Sequence, residues 1–157
     1  MIKPSFPPLF PAGFHDLTDE ELRQICVTNF EDSARRDMLY CNLIQLITQF
    51  RDLNQAYNIV SEIWVDGSFT TEKVEPDDID ILIVLDYAML NAVPQQMHQT
   101  VGLLLNRDFV KQNYNIDLLP LAQNHPNVDY EERRSYWRGW FGFDRQENPK
   151  GLVRISL

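Results

Sequence analysis

The sequence predicts one α+β domain, a mixed α/β fold in which helices flank a small mixed sheet. Short β-branched runs alternate with segments of helical periodicity, which is the pattern of such folds. The length of 157 residues suits a single domain with a buried core. An apolar fraction of 44% with nine Phe is typical of a globular protein and not of a disordered chain. Residues 1–157 are therefore expected to form one domain.

The N-terminal third is predicted to contain an extended arm and two helices. Residues 1–15 carry four prolines and are expected to run extended over the surface. Thr18 precedes three acidic residues in a capping-box pattern, which predicts the start of a short helix. From Asp32 to Tyr57 apolar residues recur at helical spacing without Pro or Gly, so we expect one long helix. Three aromatic side chains are expected to fix the arm: Phe6, Phe10 and Phe14.

The remaining two thirds of the chain are predicted to alternate strands with helices. The β-branched run at 59–65 predicts a strand. Ile79–Leu85 is apolar on both faces, which predicts a central strand. The later elements predicted from periodicity are a helix over 89–113, a strand over 115–119, a helix over 129–141 and a strand over 151–157.

Charge and cysteine content exclude several classes of partner. The formal net charge of -9 disfavours a broad nucleic-acid surface, so neither duplex nor generic single-stranded nucleic acid is expected to bind. No apolar run approaches the ~20 residues of a membrane span, and the first residues lack the features of a signal peptide. Cys26 and Cys41 have no paired spacing, which favours reduced thiols. We expect a cytoplasmic protein without a membrane partner.

The stretch EIWVDGSFTTEKVEPDDIDILIVLD, residues 62–86, carries the residues that suggest chemistry. Asp78 and Asp80 open an apolar strand, and residues two apart on a strand project to the same face. Two buried like charges are costly, whereas Mg²⁺ binds carboxylates together with waters and substrate phosphates. Gly67 allows a ligand to approach the backbone closely, and Ser68 can donate its hydroxyl to a phosphate. A lone Asp-x-Asp is also common in surface loops.

This stretch consists of an apolar strand, then Gly67-Ser68, nine further residues and an Asp-x-Asp within a second apolar strand. The arrangement resembles the signature of the nucleotidyltransferase superfamily, the fold of DNA polymerase beta. The segment EPDDIDILIVL is similar to that of minimal nucleotidyltransferases, the antitoxin partners of HEPN toxins. The resemblance covers about residues 60–120, the motif-bearing core, where Asp117 in YNIDLLPL matches the family's third carboxylate. The whole chain resembles short stand-alone bacterial proteins known only as a domain of unknown function. The segments that carry this wider resemblance are FPAGFHDLT, WRGWFGFDR and PKGLVRI.

The resemblance implies metal-dependent transfer of NMP from an NTP, with ATP expected, to a protein or small-molecule acceptor. Asp78, Asp80 and Asp117 would bind Mg²⁺ or Mn²⁺, and Asp117 could act as general base. A toxin–antitoxin or defence setting, with a toxin as partner protein, is compatible with this activity. The candidate residues for binding the nucleotide phosphates are Gly67, Ser68, Thr70, Lys73, Arg138 and Lys150.

Departures from the family pattern keep a second hypothesis open. Phe69-Thr70-Thr71 stands where minimal nucleotidyltransferases usually carry Arg and a second Gly, and Asp66 stands where an apolar residue is more common. The alternative is a non-catalytic binding module or antitoxin that acts by protein contact. Asp117 alone could be a strand-end residue with a local hydrogen bond. Arg138 could equally belong to an amphipathic helix whose arginines pair with neighbouring glutamates.

Overall fold

The computed structural model describes residues 4–157 and contains a five-stranded mixed sheet with six α-helices, which confirms the predicted α+β class. The strand order is β1-β5-β2-β3-β4. The outer pairs β1–β5 and β3–β4 are parallel, whereas β2 runs antiparallel to both of its neighbours. The strands are β1 (Gly13–Asp16), β2 (Val60–Asp66), β3 (Ile79–Asp86), β4 (Ile116–Gln123) and β5 (Gly151–Ser156).

Along the chain, each of these helices lies between two strands. A π-helical segment, Gln24–Thr28, continues directly from the first helix. None of the helices within residues 4–157 is long and apolar enough to cross a membrane. The helices are α1 (Asp19–Arg23), α2 (Arg36–Ala56), α3 (Tyr87–Asn91), α4 (His98–Leu104), α5 (Arg107–Tyr114) and α6 (Tyr130–Phe141).

Local side-chain signals account for where the first two helices begin. Thr18 accepts a hydrogen bond from the backbone of Glu21, and the Glu21 side chain accepts one from Thr18, so the predicted capping box is confirmed. The long helix starts at Arg36, four residues later than predicted. The Ser33 hydroxyl accepts the Arg36 N–H, which ends the preceding turn and opens the helix.

The segment predicted as one helix over 89–113 is divided into three helices. Pro94 lacks an N–H and follows the end of α3 at Asn91, so the first helix cannot continue. α5 begins anew after Asn106, whose side chain accepts the N–H of Phe109. Within α4, Val101 and Leu104 are buried, whereas Leu103 is exposed.

The predicted N-terminal arm is partly a strand and packs on the loop after β2. Its first three residues lie outside the described residues. Phe10 is buried, as expected of an anchoring side chain. The backbone of Leu9 donates to Thr70, and that of Glu72 donates to Pro7. The extended prediction was therefore right in conformation but missed that β1 adds an edge strand beside β5.

Side-chain alternation gives the sheet two apolar faces. The larger core lies between one face and α2, and it contains Ile63, Ile81 and Leu118. The opposite face packs against α6. Its buried apolar residues are Trp64, Leu82, Val84, Leu121, Phe141 and Leu152. Because Trp64, Leu82 and Leu121 are an even number of residues from the strand aspartates, those aspartates belong to the face that α6 covers.

Candidate functional site

Three aspartates lie side by side on neighbouring strands at one end of the sheet. Asp66 is the last residue of β2 and is in register with Asp80, the second residue of β3. Asp80 is in turn in register with Asp117, the second residue of β4. Asp78 precedes β3 by one residue. Side chains in register on adjacent strands share a face, so the fold gathers these carboxylates in one row.

Gly67 is required by its backbone conformation and by the closeness of Asp80. Its φ is +79°, a region that disfavours other residues. A Cβ atom at this position would lie 2.0 Å from Oδ2 of Asp80. Ser68 follows and opens a short 3-10 turn that ends at Thr70. The Gly-Ser turn and the Asp-x-Asp strand therefore meet in direct contact.

Asp66 forms a buried ion pair with Lys150. The side chains are 8% and 9% exposed, and the ammonium lies 2.9 Å from Oδ1 of Asp66. The Lys150 ammonium is therefore the partner of this buried oxygen. Lys150 also donates to the carbonyl oxygen of Gly67 at 2.8 Å. Lys150 thus holds the glycine turn and compensates Asp66 at the same time.

Burial raises the pKa of two carboxyls in the row. The pKa of Asp66 is raised to about 7, chiefly because the group is desolvated, although Lys150 lowers it. The pKa of Asp80 is raised to about 6 by desolvation and then by the charges of Asp78 and Asp117. In the described conformation, nearby positive charge does not fully offset the cost of burying these two carboxylates.

Asp78 and Asp117 are paired with two cations of α5. The Lys111 ammonium contacts Oδ2 of Asp78. Arg107 binds both carboxylate oxygens of Asp117, at 2.7 and 3.1 Å. This hydrogen bonding raises the pKa of Arg107. Because Arg107 and Lys111 are four residues apart, they project from the same face of the helix toward the carboxylate row.

A buried arginine fixes the loop that joins the Gly-Ser turn to β3. Arg36 is fully buried, and its guanidinium lies 3.7 Å from the centre of the Phe30 ring. Burial lowers its pKa to about 10. The charge is retained at neutral pH, and backbone carbonyl oxygens satisfy its donors. Those of Phe69, Thr71, Lys73 and Val74 lie between β2 and β3, and that of Cys26 lies in the π-helical segment.

A cavity of about 1220 Å³ opens beside the carboxylate row. Ligand pockets commonly measure ~300–1,000 Å³, so this one has room for a nucleoside triphosphate. One wall carries Asp66, Asp78 and Asp80, and the opposite wall is formed by the end of α6 and the N-terminal arm. The aromatic residues of that wall are Phe6, Trp140, Phe141 and Phe143.

The structure brings most of the predicted site residues to this cavity. Asp117 lies beside them through its pairing with Asp80. Thr70 is fully buried, with its hydroxyl donating to the carbonyl oxygen of Gly67, so it braces the turn and does not line the cavity. The predicted residues that line the cavity are Gly67, Ser68, Lys73, Asp78, Asp80 and Lys150.

Arg138 is placed away from the cavity, contrary to its expected role at the phosphates. Its guanidinium lies 5.8 Å from the centre of the Phe14 ring. Gly139 and Trp140 line the cavity instead. Arg138 is exposed, and Arg134, one turn earlier in α6, lies near the same ring.

The residues present supply the oxygen ligands that Mg²⁺ prefers. Within residues 4–157, no three His, Cys, Asp or Glu side chains are grouped closely enough to hold a metal ion. Asp78 and Asp117 are turned toward Lys111 and Arg107. Asp80 lies between Asp78 and Asp117, and desolvation and then their charges raise its pKa, so added positive charge would be stabilised there. These carboxylates would be available to a divalent ion only after the two exposed ion pairs open.

Four residues of this site were missed from the sequence. Asp66 could have been found, because it directly follows the apolar run Ile63-Trp64-Val65. Arg107 and Lys111 carry a weaker signal, two cations at helical spacing just before the strand of Asp117. Arg36 carries no local signal, since its partners come from a loop far along the chain.

The fold and this cavity define an α+β domain with a row of carboxylates at one end of its sheet. The chain matches the family model described as "Family of unknown function (DUF6932)" over residues 4–156, and it belongs to that family. No curated protein and no solved structure matches the chain.

Proposed function

We propose that this protein is a metal-dependent nucleotidyltransferase that transfers NMP from an NTP to a hydroxyl of a protein or small-molecule acceptor. The observation that carries the proposal is the register of Asp80 with Asp117, next to the Gly67-Ser68 turn and beside a cavity of sufficient size. The resemblance of the strand–Gly-Ser–Asp-x-Asp pattern to nucleotidyltransferases supports it further.

Asp78, Asp80 and Asp117 would hold Mg²⁺ or Mn²⁺ in this proposal. A bound divalent ion lowers the pKa of an attacking hydroxyl and neutralises the triphosphate. In the transfer, the acceptor oxygen bonds to the α-phosphorus, the bond to the bridging oxygen breaks, and pyrophosphate leaves. Asp117 accepts the hydroxyl proton. Ser68 donates to the phosphates, and Lys150 keeps the Gly67 turn in position.

The proposed substrates follow from charge and setting. ATP is the expected nucleotide, and a cytoplasmic location, where NTP and Mg²⁺ are available, is part of the proposal. The net charge of -9 disfavours a nucleic-acid acceptor. A partner toxin in a toxin–antitoxin or defence system is an acceptor compatible with the resemblance.

Thermal melts with ATP, GTP, CTP and UTP test the site without knowledge of the acceptor. At one hundred times its dissociation constant a ligand stabilises the folded state by ~2.7 kcal/mol, which corresponds to several degrees for a domain of this size. We expect this shift with Mg²⁺ and little shift with EDTA, because the carboxylates otherwise repel the triphosphate. Asp80→Asn should abolish the shift.

Glu72→Gln is the matched control, since Glu72 is an exposed carboxylate of the same loop. It should keep the full shift. Release of pyrophosphate from NTP, with metal and a candidate acceptor, measures the transfer itself and should disappear in Asp78→Asn. Transfer that survives in a protein lacking both Asp78 and Asp80 would falsify the assignment.

A second candidate function is a non-catalytic binding module that contacts a partner protein. Three exposed aromatic side chains favour it, since exposed apolar clusters mark interaction surfaces. Tyr136 is 53%, Trp140 67% and Phe143 49% exposed. If no nucleotide raises the melting temperature even with Mn²⁺, this function replaces the transferase.

A further inference from the structure

We propose that Arg107 and Lys111 are the triphosphate-binding cations of this site and that, before nucleotide binds, they pair with the carboxylates that the metal ion later takes. This inference rests on the proposed function and names residues that neither the sequence pattern nor the family match identifies. It assigns α5 a role in the site in place of the residues expected on α6 and in the first turn.

The first support is position. Arg107 contacts Asp117, and Lys111 contacts Asp78, so one helix delivers a cation to each of the two more exposed carboxylates. Residues at this spacing have side chains about 5–6 Å apart at their bases. Asp80 is two residues from Asp78 and in register with Asp117, so both cations lie beside it.

The second support is that these two cations are free to exchange partners. Their side chains are 60% and 44% exposed, and their hydrogen bonds are to carboxylate oxygens. Lys150 is buried and tied to the Gly67 carbonyl. Arg36 is occupied by backbone carbonyls. Lys73 and Arg145 also line the cavity, but the exposed cations that contact the row itself are those of α5.

The third support is a charge requirement at the phosphates. The loop after Gly67-Ser68 lacks the Arg that minimal nucleotidyltransferases usually carry there, and Arg138 points away from the cavity. Arg107 and Lys111 do not line the cavity in the described conformation but contact carboxylates beside it, and a metal ion on those carboxylates would release them.

The released cations suit a triphosphate by their chemistry. The planar guanidinium of Arg107 already binds two oxygens of one carboxylate, and the same fork fits two oxygens of a phosphate. The Lys111 ammonium would act as a point charge toward a second phosphate. No covalent step is involved, only an exchange of ion pairs.

The experiment measures two affinities that should change in opposite directions. The variants are Arg107→Met, Lys111→Met and the double variant. Each is titrated with Mn²⁺ alone, with electron paramagnetic resonance as the readout. Each is also titrated with ATP at saturating Mn²⁺, with calorimetry as the readout. Mn²⁺ alone should bind about two- to fivefold more tightly for each cation removed, the range that an exposed ion pair contributes. ATP should bind about tenfold more weakly for each, as expected on loss of a hydrogen bond to a charged group.

Arg51→Met is the matched control, because Arg51 also binds a carboxylate through two bonds, to Asp19 at 2.6 and 2.9 Å, away from this site. It should change neither affinity. Lys111→Arg, which retains the charge, should keep ATP binding and so exclude a folding defect as the cause.

The failures of the two proposals are distinguishable. If wild type binds ATP with Mn²⁺ and the double variant binds it equally well, the inference is overturned while the transferase proposal stands. If wild type binds Mn²⁺ but no nucleotide, both are overturned. A double variant that binds Mn²⁺ less tightly than wild type also overturns the inference, since the cations then do not compete with the metal.

Discussion

Two kinds of carboxylate–cation pair lie at the same end of the sheet, and they differ in burial. Asp66 and Lys150 are removed from water, and Lys150 has a second partner in the Gly67 backbone. Asp117 with Arg107, at 2.7 Å, remains in contact with solvent. Breaking a buried pair leaves an uncompensated charge, whereas an exposed pair contributes little to stability. The buried pair therefore holds the turn, and the exposed pair is available for exchange.

The largest effect is expected when the buried pair is broken. Lys150→Met leaves Asp66 buried without a counter-charge and frees the Gly67 carbonyl, so the free energy of unfolding at pH 8 should fall by about 3–5 kcal/mol. Urea denaturation measures this loss. The double variant with Asp66→Asn should recover at least half of it. A loss below about 1 kcal/mol for Lys150→Met would show that the pair does not support the turn.

The next largest effect is a pH dependence in the metal-free protein. The pKa is raised from 3.8 to about 6 for Asp80 and to about 7 for Asp66. Between about pH 4 and pH 7 these two carboxyls therefore bind more protons in the folded protein than in the unfolded chain, and their contribution to the free energy of unfolding falls as pH rises. This contribution is fully present below the unfolded pKa of 3.8 and is lost as pH passes through the two raised values. The lowered pKa values of Asp16, Glu75 and Asp144 act in the opposite direction at the acid end of this range.

Asp80→Asn separates this effect from that of other carboxyls. In EDTA the variant should match wild type near pH 4 and exceed its free energy of unfolding by about 2 kcal/mol at pH 8, at ~1.4 kcal/mol per pKa unit after allowance for partial exposure. Chemical denaturation at several pH values measures it. A variant less stable than wild type at pH 8 would mean that Asp80 is stabilised by its surroundings and not strained.

Local pattern was sufficient to predict the strands that carry the site. Alternation and the period of two placed Asp78 and Asp80 on one face, and the short apolar run around Asp117 predicted its strand. These features depend on residues that are close together in the sequence, so they can be predicted without knowledge of the tertiary fold. The α+β class followed from the same local periodicities.

The partners of the charged residues could not be predicted, because they are set by the tertiary fold. The Arg36 carbonyl partners and the Asp66–Lys150 pair join segments far apart in the chain. Glu75 in the loop before β3 likewise accepts the N–H of Ala34 before α2. The register of Asp66 with Asp80 required the antiparallel pairing of β2 with β3, which no local signal specifies.

The smallest effect is expected when the exposed pairs are broken, and salt should reveal the contrast with the buried one. Without metal and at low salt, Arg107→Met and Lys111→Met should each change the free energy of unfolding by no more than about 1 kcal/mol. At 1 M NaCl the screening length is ~3 Å, so these differences should nearly vanish. The loss caused by Lys150→Met should persist, because its partner is shielded from ions. Urea denaturation at both salt concentrations measures all three variants, with Arg51→Met as an exposed pair elsewhere. If the Lys111→Met effect is large and independent of salt, Lys111 is a structural residue like Lys150, and α5 cannot supply exchangeable charge to the site.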